Sequence, residues 1–179
     1  LGVVTLPITD NQRFQGLITI GDIANAYMDV YDNCILSVAG TPYKNILETL
    51  DAELLIGEPD AVFDKGEVVI AAANPDVMED YIHQGDMVIL GNRYESQLCA
   101  IEMNAACIIV CMGAKVSKTI QKLAQEHNCS IIVTPHDTFT IARMINQSMP
   151  ISHFMKKDGL VTFKVTEKTE DIRGIMGQK

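Results

Sequence analysis

The 179-residue sequence has no tryptophan, few aromatic residues (6%) and a shortage of positive charge. Lysine and arginine number 14 against 23 aspartates and glutamates, which gives a formal net charge of −9. Binding of nucleic-acid polymers or of anionic membranes generally needs a basic face, because cations must replace the counterions of the phosphates. The charge balance therefore argues against both classes of partner.

Long apolar runs and paired cysteines are also missing. No apolar run approaches the roughly 20 residues of a membrane-spanning helix, and no basic segment precedes an apolar stretch as in a secretory signal. The sequence has five cysteines and no CxxC pair, which argues against a zinc ribbon and a disulfide framework. We expect a cytoplasmic protein with reduced thiols.

The first part of the chain combines both kinds of secondary structure. Residues 1–56 are typical of strand, turn, strand and helix, followed by a second helix in which Leu47, Leu50 and Leu54 share one face. Residues 57–66 are rich in glycine, proline, aspartate and lysine, which predicts a linker.

The remainder of the chain indicates an α/β fold. Residues 67–155 alternate four short, apolar, β-branched strands with helical patterns, and residues 156–179 contain one predicted strand (GLVTFKV) and one charged helix. Strands that alternate with helices are joined by right-handed crossovers and form a parallel sheet. We therefore predict a parallel four-stranded sheet in residues 67–155.

Polar side chains occur where the second predicted strand meets the first helix, in Gly16-Leu17-Ile18-Thr19-Ile20-Gly21-Asp22. Thr19 and the free backbone N–H groups of a helix start can meet a phosphate. Asp22, three residues later, can accept hydrogen bonds from two ribose hydroxyls. The alternative interpretation is that Thr19 and Asp22 only cap the helix.

Together with Leu6-Pro7-Ile8, this string resembles the nucleotide site of cystathionine-β-synthase-type (CBS) modules. The pattern of those modules is an apolar-Pro-apolar strand, a turn, and then Gly-apolar-apolar-Thr/Ser-x-x-Asp. The resemblance implies that the nucleotide is contacted by Val4, Thr5, Leu6, Pro7, Thr19 and Asp22.

Three strings in the second stretch resemble a DRTGG domain, an α/β module named for its Asp-Arg and Thr-Gly-Gly elements. They are Gly91-Asn92-Arg93, Cys111-Met112-Gly113 and Thr134-Pro135-His136-Asp137-Thr138-Phe139. Asn92 stands in place of the aspartate of the pattern, and Cys111-Met112 stand in place of Thr-Gly. Any role that needs that carboxylate or that hydroxyl is therefore not expected here.

The next segment, MKKDGLVTFKVTEKTEDI, looks like the opening of a second CBS module, whose Val161 and Thr162 are expected to add nucleotide contacts. The predicted division is thus a first partial CBS module (1–56), a linker (57–66), a DRTGG domain (67–155) and a second partial CBS module (156–179). This DRTGG domain inserted between partial CBS modules is similar to the regulatory insert of CBS-containing family II inorganic pyrophosphatases.

The resemblance implies an allosteric role in a homodimer that associates through CBS and DRTGG surfaces. In that family AMP and ADP inhibit the attached phosphatase, and ATP or diadenosine polyphosphates activate it. The catalytic domain of the family holds manganese or cobalt through an Asp-His-His element that does not occur here. We therefore expect a regulatory region without catalytic or metal-binding residues.

Two alternatives belong to other functional classes. Cys111, His136 and Asp137 follow neighbouring predicted strands and could form a catalytic or thiol-switch group, because parallel strands bring their carboxyl ends together. The simpler interpretation is a buried thiol beside a helix cap formed by Asp137 or Thr138. The other alternative is a dimerisation module whose nucleotide site has decayed.

Overall fold

The computed structural model describes residues 4–28 and 32–176, with only the backbone described for residues 26–28. The ends of the first and last predicted stretches, residues 1–3 and 177–179, lie outside the described residues. The chain divides into two compact units. Residues 1–24 and 154–179 form the flanking unit, and residues 25–153 form the inserted unit.

The flanking unit begins with an antiparallel hairpin of β1 (Thr5–Asp10) and β2 (Arg13–Thr19). Asn11 and Gln12 make its turn, with φ of 46° and 65°. Two successive positive φ angles are typical of the tight turns whose twist matches that of the strands. Helix α1 (Ile20–Met28) follows β2 without a linker, so the end of β2 is also the beginning of a helix.

The second segment of the flanking unit pairs with this hairpin through one bridge, between Leu17 and Lys156. The predicted strand in residues 159–165 is wrong, because these residues form no β-ladder within the described chain. Its β-branched residues favour an extended backbone, but a strand also needs a neighbour with which to pair. The charged helix is confirmed, as α8 (Thr169–Met176).

The inserted unit is built around a five-stranded sheet with the order β4-β9-β8-β7-β6. Its elements in chain order are α2 (Ile35–Val38), β3 (Thr41–Pro42), α3 (Tyr43–Thr49), β4 (Glu53–Ile56), β5 (Val62–Phe63), β6 (Val68–Ile70), α4 (Pro75–Met78), β7 (Met87–Leu90), α5 (Tyr94–Glu102), β8 (Cys107–Val110), α6 (Lys118–Glu126), β9 (Ser130–Val133) and α7 (Thr138–Met144). Short 3₁₀ turns at Ile145–Ser148 and Ile151–His153 follow α7. β3 and β5 form a separate two-stranded ladder.

The parallel pairing of the four predicted strands is confirmed, since β6, β7, β8 and β9 run parallel to one another. Every residue of β7 and β8 is buried, as expected for strands covered on both faces. Among the helical residues on the core, Ile120 and Ala124 of α6 and Ile141 of α7 are fully buried.

The prediction of four strands was incomplete, because β4 pairs antiparallel with β9 as a fifth, edge strand. The predicted helix containing Leu47, Leu50 and Leu54 stops early, at Thr49. Asp51 has a positive φ of 47°, and the N–H of Ala52 donates to the carbonyl of Leu47 at 2.9 Å. This left-handed ending turns the chain, so that Leu54 lies in a strand.

None of the helices in residues 4–28 and 32–176 reaches the length and apolarity that a bilayer crossing requires.

Candidate functional site

Thr19 and Asp22 form a reciprocal cap at the start of α1. The backbone N–H and the hydroxyl of Thr19 donate to Oδ2 of Asp22 at 2.8 and 2.6 Å, and the N–H of Asp22 lies 3.2 Å from the Oγ1 of Thr19. This is the geometry of a capping box, with aspartate in the place usually taken by glutamate. Thr19 and Asp22 thus cap the helix, as the alternative interpretation predicts.

The cap leaves one oxygen of the Asp22 carboxylate outside the reciprocal bonds. Oδ2 accepts both bonds from Thr19, whereas Oδ1 faces Lys156, whose Nζ lies 3.7 Å away. The pKa of Asp22 is lowered from its usual value of 3.8, mainly by the hydroxyl and then by the backbone N–H of Thr19, with Lys156 contributing less. The carboxylate is therefore ionised at neutral pH and can accept further hydrogen bonds through Oδ1.

The hairpin brings the other N-terminal candidates beside this cap. Thr5 lies opposite Thr19 in the β1–β2 register, and the carbonyl of Val4 accepts from the N–H of Ile20 at 3.1 Å. Leu6 and Pro7 follow along β1 and are exposed. These candidates and the Thr19–Asp22 cap thus belong to one continuous piece of backbone.

Val161 and Thr162 are not joined to this group. They lie in a segment without regular secondary structure and are exposed. Within residues 4–28 and 32–176, neither forms a hydrogen bond with the hairpin. Their expected part in the site consequently rests on the resemblance to a second CBS module.

The residue that sequence reasoning missed is Lys156. It is separated from Asp22 by the whole inserted unit, so no local spacing in the sequence links the two residues. The only signal is that Lys156 lies at the start of the segment that looks like a second CBS module. A search for basic residues at the junction of the two modules would have found it.

The three DRTGG-like strings lie at the carboxyl end of the parallel strands. The backbone N–H of Met112 donates to the carbonyl of His136 at 2.9 Å, and that of Gly113 donates to the carbonyl of Thr134 at 2.8 Å. Met112 and Phe139 are 70% and 68% exposed, and the Arg143 guanidinium lies 5.6 Å from the centre of the Phe139 ring. Loops at this edge are a common place for ligands in α/β folds.

The geometry at Cys111, His136 and Asp137 favours the structural interpretation. Asp137 caps α7 by accepting from the N–H of Thr140 at 2.9 Å, and this bond lowers the pKa of its carboxyl. The Cys111 sulfur lies 3.5 Å from the hydroxyl of Thr138, and burial raises the pKa of its thiol. A nucleophilic cysteine needs a thiol pKa that is lowered, not raised.

Nowhere in residues 4–28 and 32–176 do three or more histidine, cysteine, aspartate or glutamate side chains cluster in a way that could hold a metal ion.

Comparison with known proteins matches residues 45–148 to the model of the DRTGG domain. A cobalt-dependent inorganic pyrophosphatase of Clostridium perfringens is 38% identical over 176 residues, which cover 97% of this chain and 32% of that protein. A probable manganese-dependent inorganic pyrophosphatase of Thermotoga maritima is 29% identical over 173 residues, which cover 96% of this chain and 32% of that protein. The chain thus spans about a third of the length of these relatives.

A crystal structure shares the fold of nearly the whole chain. It shows the CBS and DRTGG domains of the regulatory region of the Clostridium perfringens pyrophosphatase, complexed with the activator diadenosine tetraphosphate. The TM-score is 0.91 at 37% identity, and the match covers 98% of this chain and 77% of the other. This likeness confirms the predicted α/β fold and the predicted resemblance to a CBS–DRTGG regulatory region.

Proposed function

The chain belongs to the DRTGG domain family, and we propose on this basis that it is the nucleotide-binding regulatory region of an inorganic pyrophosphatase. The observation that carries the proposal is its likeness, over 98% of its length, to a regulatory region that binds a diadenosine tetraphosphate activator. The pyrophosphatase relatives are cobalt- or manganese-dependent by name. A catalytic domain with one of these metals would accordingly lie in another part of the same protein, in the cytoplasm.

In our proposal the ribose of an adenine nucleotide binds at Asp22. The Oδ1 atom of Asp22 would accept hydrogen bonds from the 2′- and 3′-hydroxyls, while Oδ2 remains bound to Thr19. A phosphate would lie near Thr19 at the first turn of α1, where the helix dipole favours negative charge. The capping box would then also position the ligand, because it fixes the orientation of the carboxylate.

The remaining contacts of the proposed site come from apolar side chains and backbone. Val4, Thr5, Leu6 and Pro7 would flank the base, and Val161 and Thr162 would contribute from the second module. The large exposed fractions of Val4 (65%) and Leu6 (51%) support this role, because apolar side chains at a binding face are exposed until they are covered.

Regulation would act through the association of two copies. We propose a homodimer that forms through CBS and DRTGG surfaces, with AMP and ADP as inhibitors and ATP or diadenosine polyphosphates as activators. A ligand can shift such an assembly only if it binds two arrangements with unequal affinity. Apolar side chains of α1 such as Ile20 (56% exposed) and Ile23 (41% exposed) support an association in which they become covered.

The test is isothermal titration calorimetry with AMP and with diadenosine tetraphosphate, on the wild type and on Asp22→Asn. The amide oxygen of asparagine can keep the bond with the N–H of Thr19, whereas its NH₂ group replaces the acceptor that would face the ribose. A hydrogen bond to a charged group contributes about 1.5–3 kcal/mol, so we expect the affinity to fall by about tenfold or more.

Asp158→Asn is the matched control, because it removes the same charge from an exposed position in the same unit. It should bind both nucleotides as the wild type does. Absence of binding heat with the wild type would refute the proposed function and favour a dimerisation module with a decayed site. Equal affinities of wild type and Asp22→Asn would remove Asp22 from the site.

A further inference from the structure

Lys156 is fixed beside the cap by its backbone as well as by its side chain. Its N–H donates to the carbonyl of Leu17 at 2.7 Å, and its carbonyl accepts from the N–H of Leu17 at 3.0 Å. A Cβ on Gly16 would lie 2.5 Å from the Lys156 carbonyl oxygen, so only glycine at that position leaves room for the bridge. The lysine is consequently anchored against β2, immediately before the Thr19–Asp22 cap.

The ammonium group of Lys156 has capacity for a further partner. Its Nζ lies 3.7 Å from Oδ1 of Asp22, and the Lys156 side chain is 62% exposed. An ammonium carries three donors, so it can face a second anionic group while it stays paired with Asp22. The exposed ammonium thus lies next to the oxygen atom that the proposed function assigns to the ribose.

A nucleotide at this cap meets an electrostatic conflict that Lys156 can relieve. The ionised Asp22 carboxylate accepts hydroxyl hydrogens well, but it repels the phosphate charge that the same ligand carries. The 5′-phosphate of a nucleotide is only one ribose away from the 2′- and 3′-hydroxyls, and the chain as a whole carries a net charge of −9. A nearby cation would offset this repulsion, and Lys156 is the cation that pairs with Asp22.

We propose that Lys156 binds the phosphate beside the first turn of α1, and that it makes the affinity of the site depend on the charge of the ligand. This inference rests on the proposed function, since it assumes that the ribose is held at Asp22. The lysine would keep its ion pair with the carboxylate and direct its remaining donors to the phosphate oxygens. The protein would thereby discriminate a nucleotide from its nucleoside.

The experiment compares adenosine, AMP and ADP by calorimetry on the wild type, Lys156→Gln and Lys157→Gln. Lys157 is the matched control, because it is the adjacent exposed lysine and forms no ion pair within residues 4–28 and 32–176. Glutamine keeps the backbone bridge to Leu17, and far-UV circular dichroism with a melting curve checks that each variant is folded. We expect Lys156→Gln to weaken AMP binding about tenfold or more, and ADP binding at least as much, with adenosine binding unchanged.

Salt dependence gives an independent measurement if adenosine binds too weakly to quantify. In the wild type, the affinity for AMP should fall as the salt concentration rises. This salt dependence should be weaker in Lys156→Gln, which has lost one phosphate contact, and unchanged in Lys157→Gln. Lys156→Arg should restore most of the affinity, since arginine also binds phosphate.

The outcomes separate the two proposals. If the wild type binds none of the three compounds, the proposed function itself fails. If the wild type binds AMP and Lys156→Gln binds AMP equally well with an unchanged salt dependence, this inference is overturned while the proposed function stands. An equal loss for adenosine and AMP would also overturn it, because the role of Lys156 would then be structural.

Discussion

Asp86 offers the sharpest test of how the inserted unit is held together. The residue is 2% exposed, and its carboxylate accepts from two backbone N–H groups, that of Glu67 at 2.9 Å and that of His83 at 2.7 Å. Glu67 immediately precedes β6, and Asp86 immediately precedes β7. One buried side chain thus joins the segments that lead into two neighbouring parallel strands, and we predict that Asp86→Asn markedly destabilises the protein.

The magnitude follows from the two bonds. Asparagine has a single carbonyl oxygen, so one of the two backbone donors must face an NH₂ group in its place. Loss of one buried bond to a charged acceptor costs about 1.5–3 kcal/mol. In a domain of this size a change of 1 kcal/mol shifts the melting temperature by roughly 2–4 °C, so we expect a decrease of roughly 3–12 °C. Asp86→Ala removes both acceptors and should lower the free energy of unfolding by about twice as much.

The assay is thermal and urea unfolding followed by far-UV circular dichroism, because the chain has no tryptophan to serve as a fluorescent probe. Hydrogen exchange adds a local readout, in which the amides of Glu67 and His83 should lose protection first. Asp80→Asn is the control, because Asp80 is exposed and close in sequence, and the substitution removes the same single negative charge. Substitutions at such positions usually stay within about 0.5 kcal/mol. If Asp86→Asn were as stable as this control, the role assigned to Asp86 would be refuted.

Three further predictions concern the carboxyl edge of the sheet. Thr134→Val removes the 2.6 Å hydrogen bond from the buried Thr134 hydroxyl to the carbonyl of Leu50. Urea unfolding should show that the free energy of unfolding falls by about 1–3 kcal/mol. An unchanged free energy of unfolding would contradict a stabilising role of this bond. Burial raises the pKa of the Cys111 thiol. Labelling of Cys111 by iodoacetamide in the native protein should therefore stay slow throughout the pH range in which a free thiol ionises. Rapid labelling near neutral pH would support the thiol-enzyme alternative. The N–H of Thr140 lowers the pKa of the Asp137 carboxyl, so titration followed by NMR should give a pKa below the usual 3.8. The contribution of this carboxylate to stability should be complete above the unfolded-state pKa and should be lost as the pH falls through the lowered pKa. A titration midpoint above 3.8 would contradict the cap.

The sequence predicted the inner part of the fold because its signals there are local. The strands around Val88 and Ile108 are short, apolar and flanked by helical patterns, which is sufficient to predict a buried parallel sheet. The outer elements depend on interactions that a pattern does not contain. Leu54 continues a helical stripe from Leu50, but the positive φ of Asp51 ends the helix and β4 then pairs with β9 at the edge of the sheet.

The candidate site was predictable only to the extent that it is continuous in sequence. Thr19 and Asp22 are three residues apart, so their spacing alone indicated a polar group at a helix start, and the capping bonds were anticipated as the alternative. Lys156 reaches the same place through a backbone bridge to Leu17. Such a pairing depends on tertiary structure and on the absence of a side chain at Gly16, neither of which periodicity can show.

The division of the flanking unit into two segments has a consequence for synthesis on the ribosome. About 130 residues separate the end of its first segment, Ala24, from the start of its second, Phe154. At roughly 5–20 residues per second, the nascent β1–β2 hairpin waits on the order of 6–26 s for the residue that bridges it. The sequential order of translation thus lets the inserted unit emerge in full and begin folding before the flanking unit can be completed.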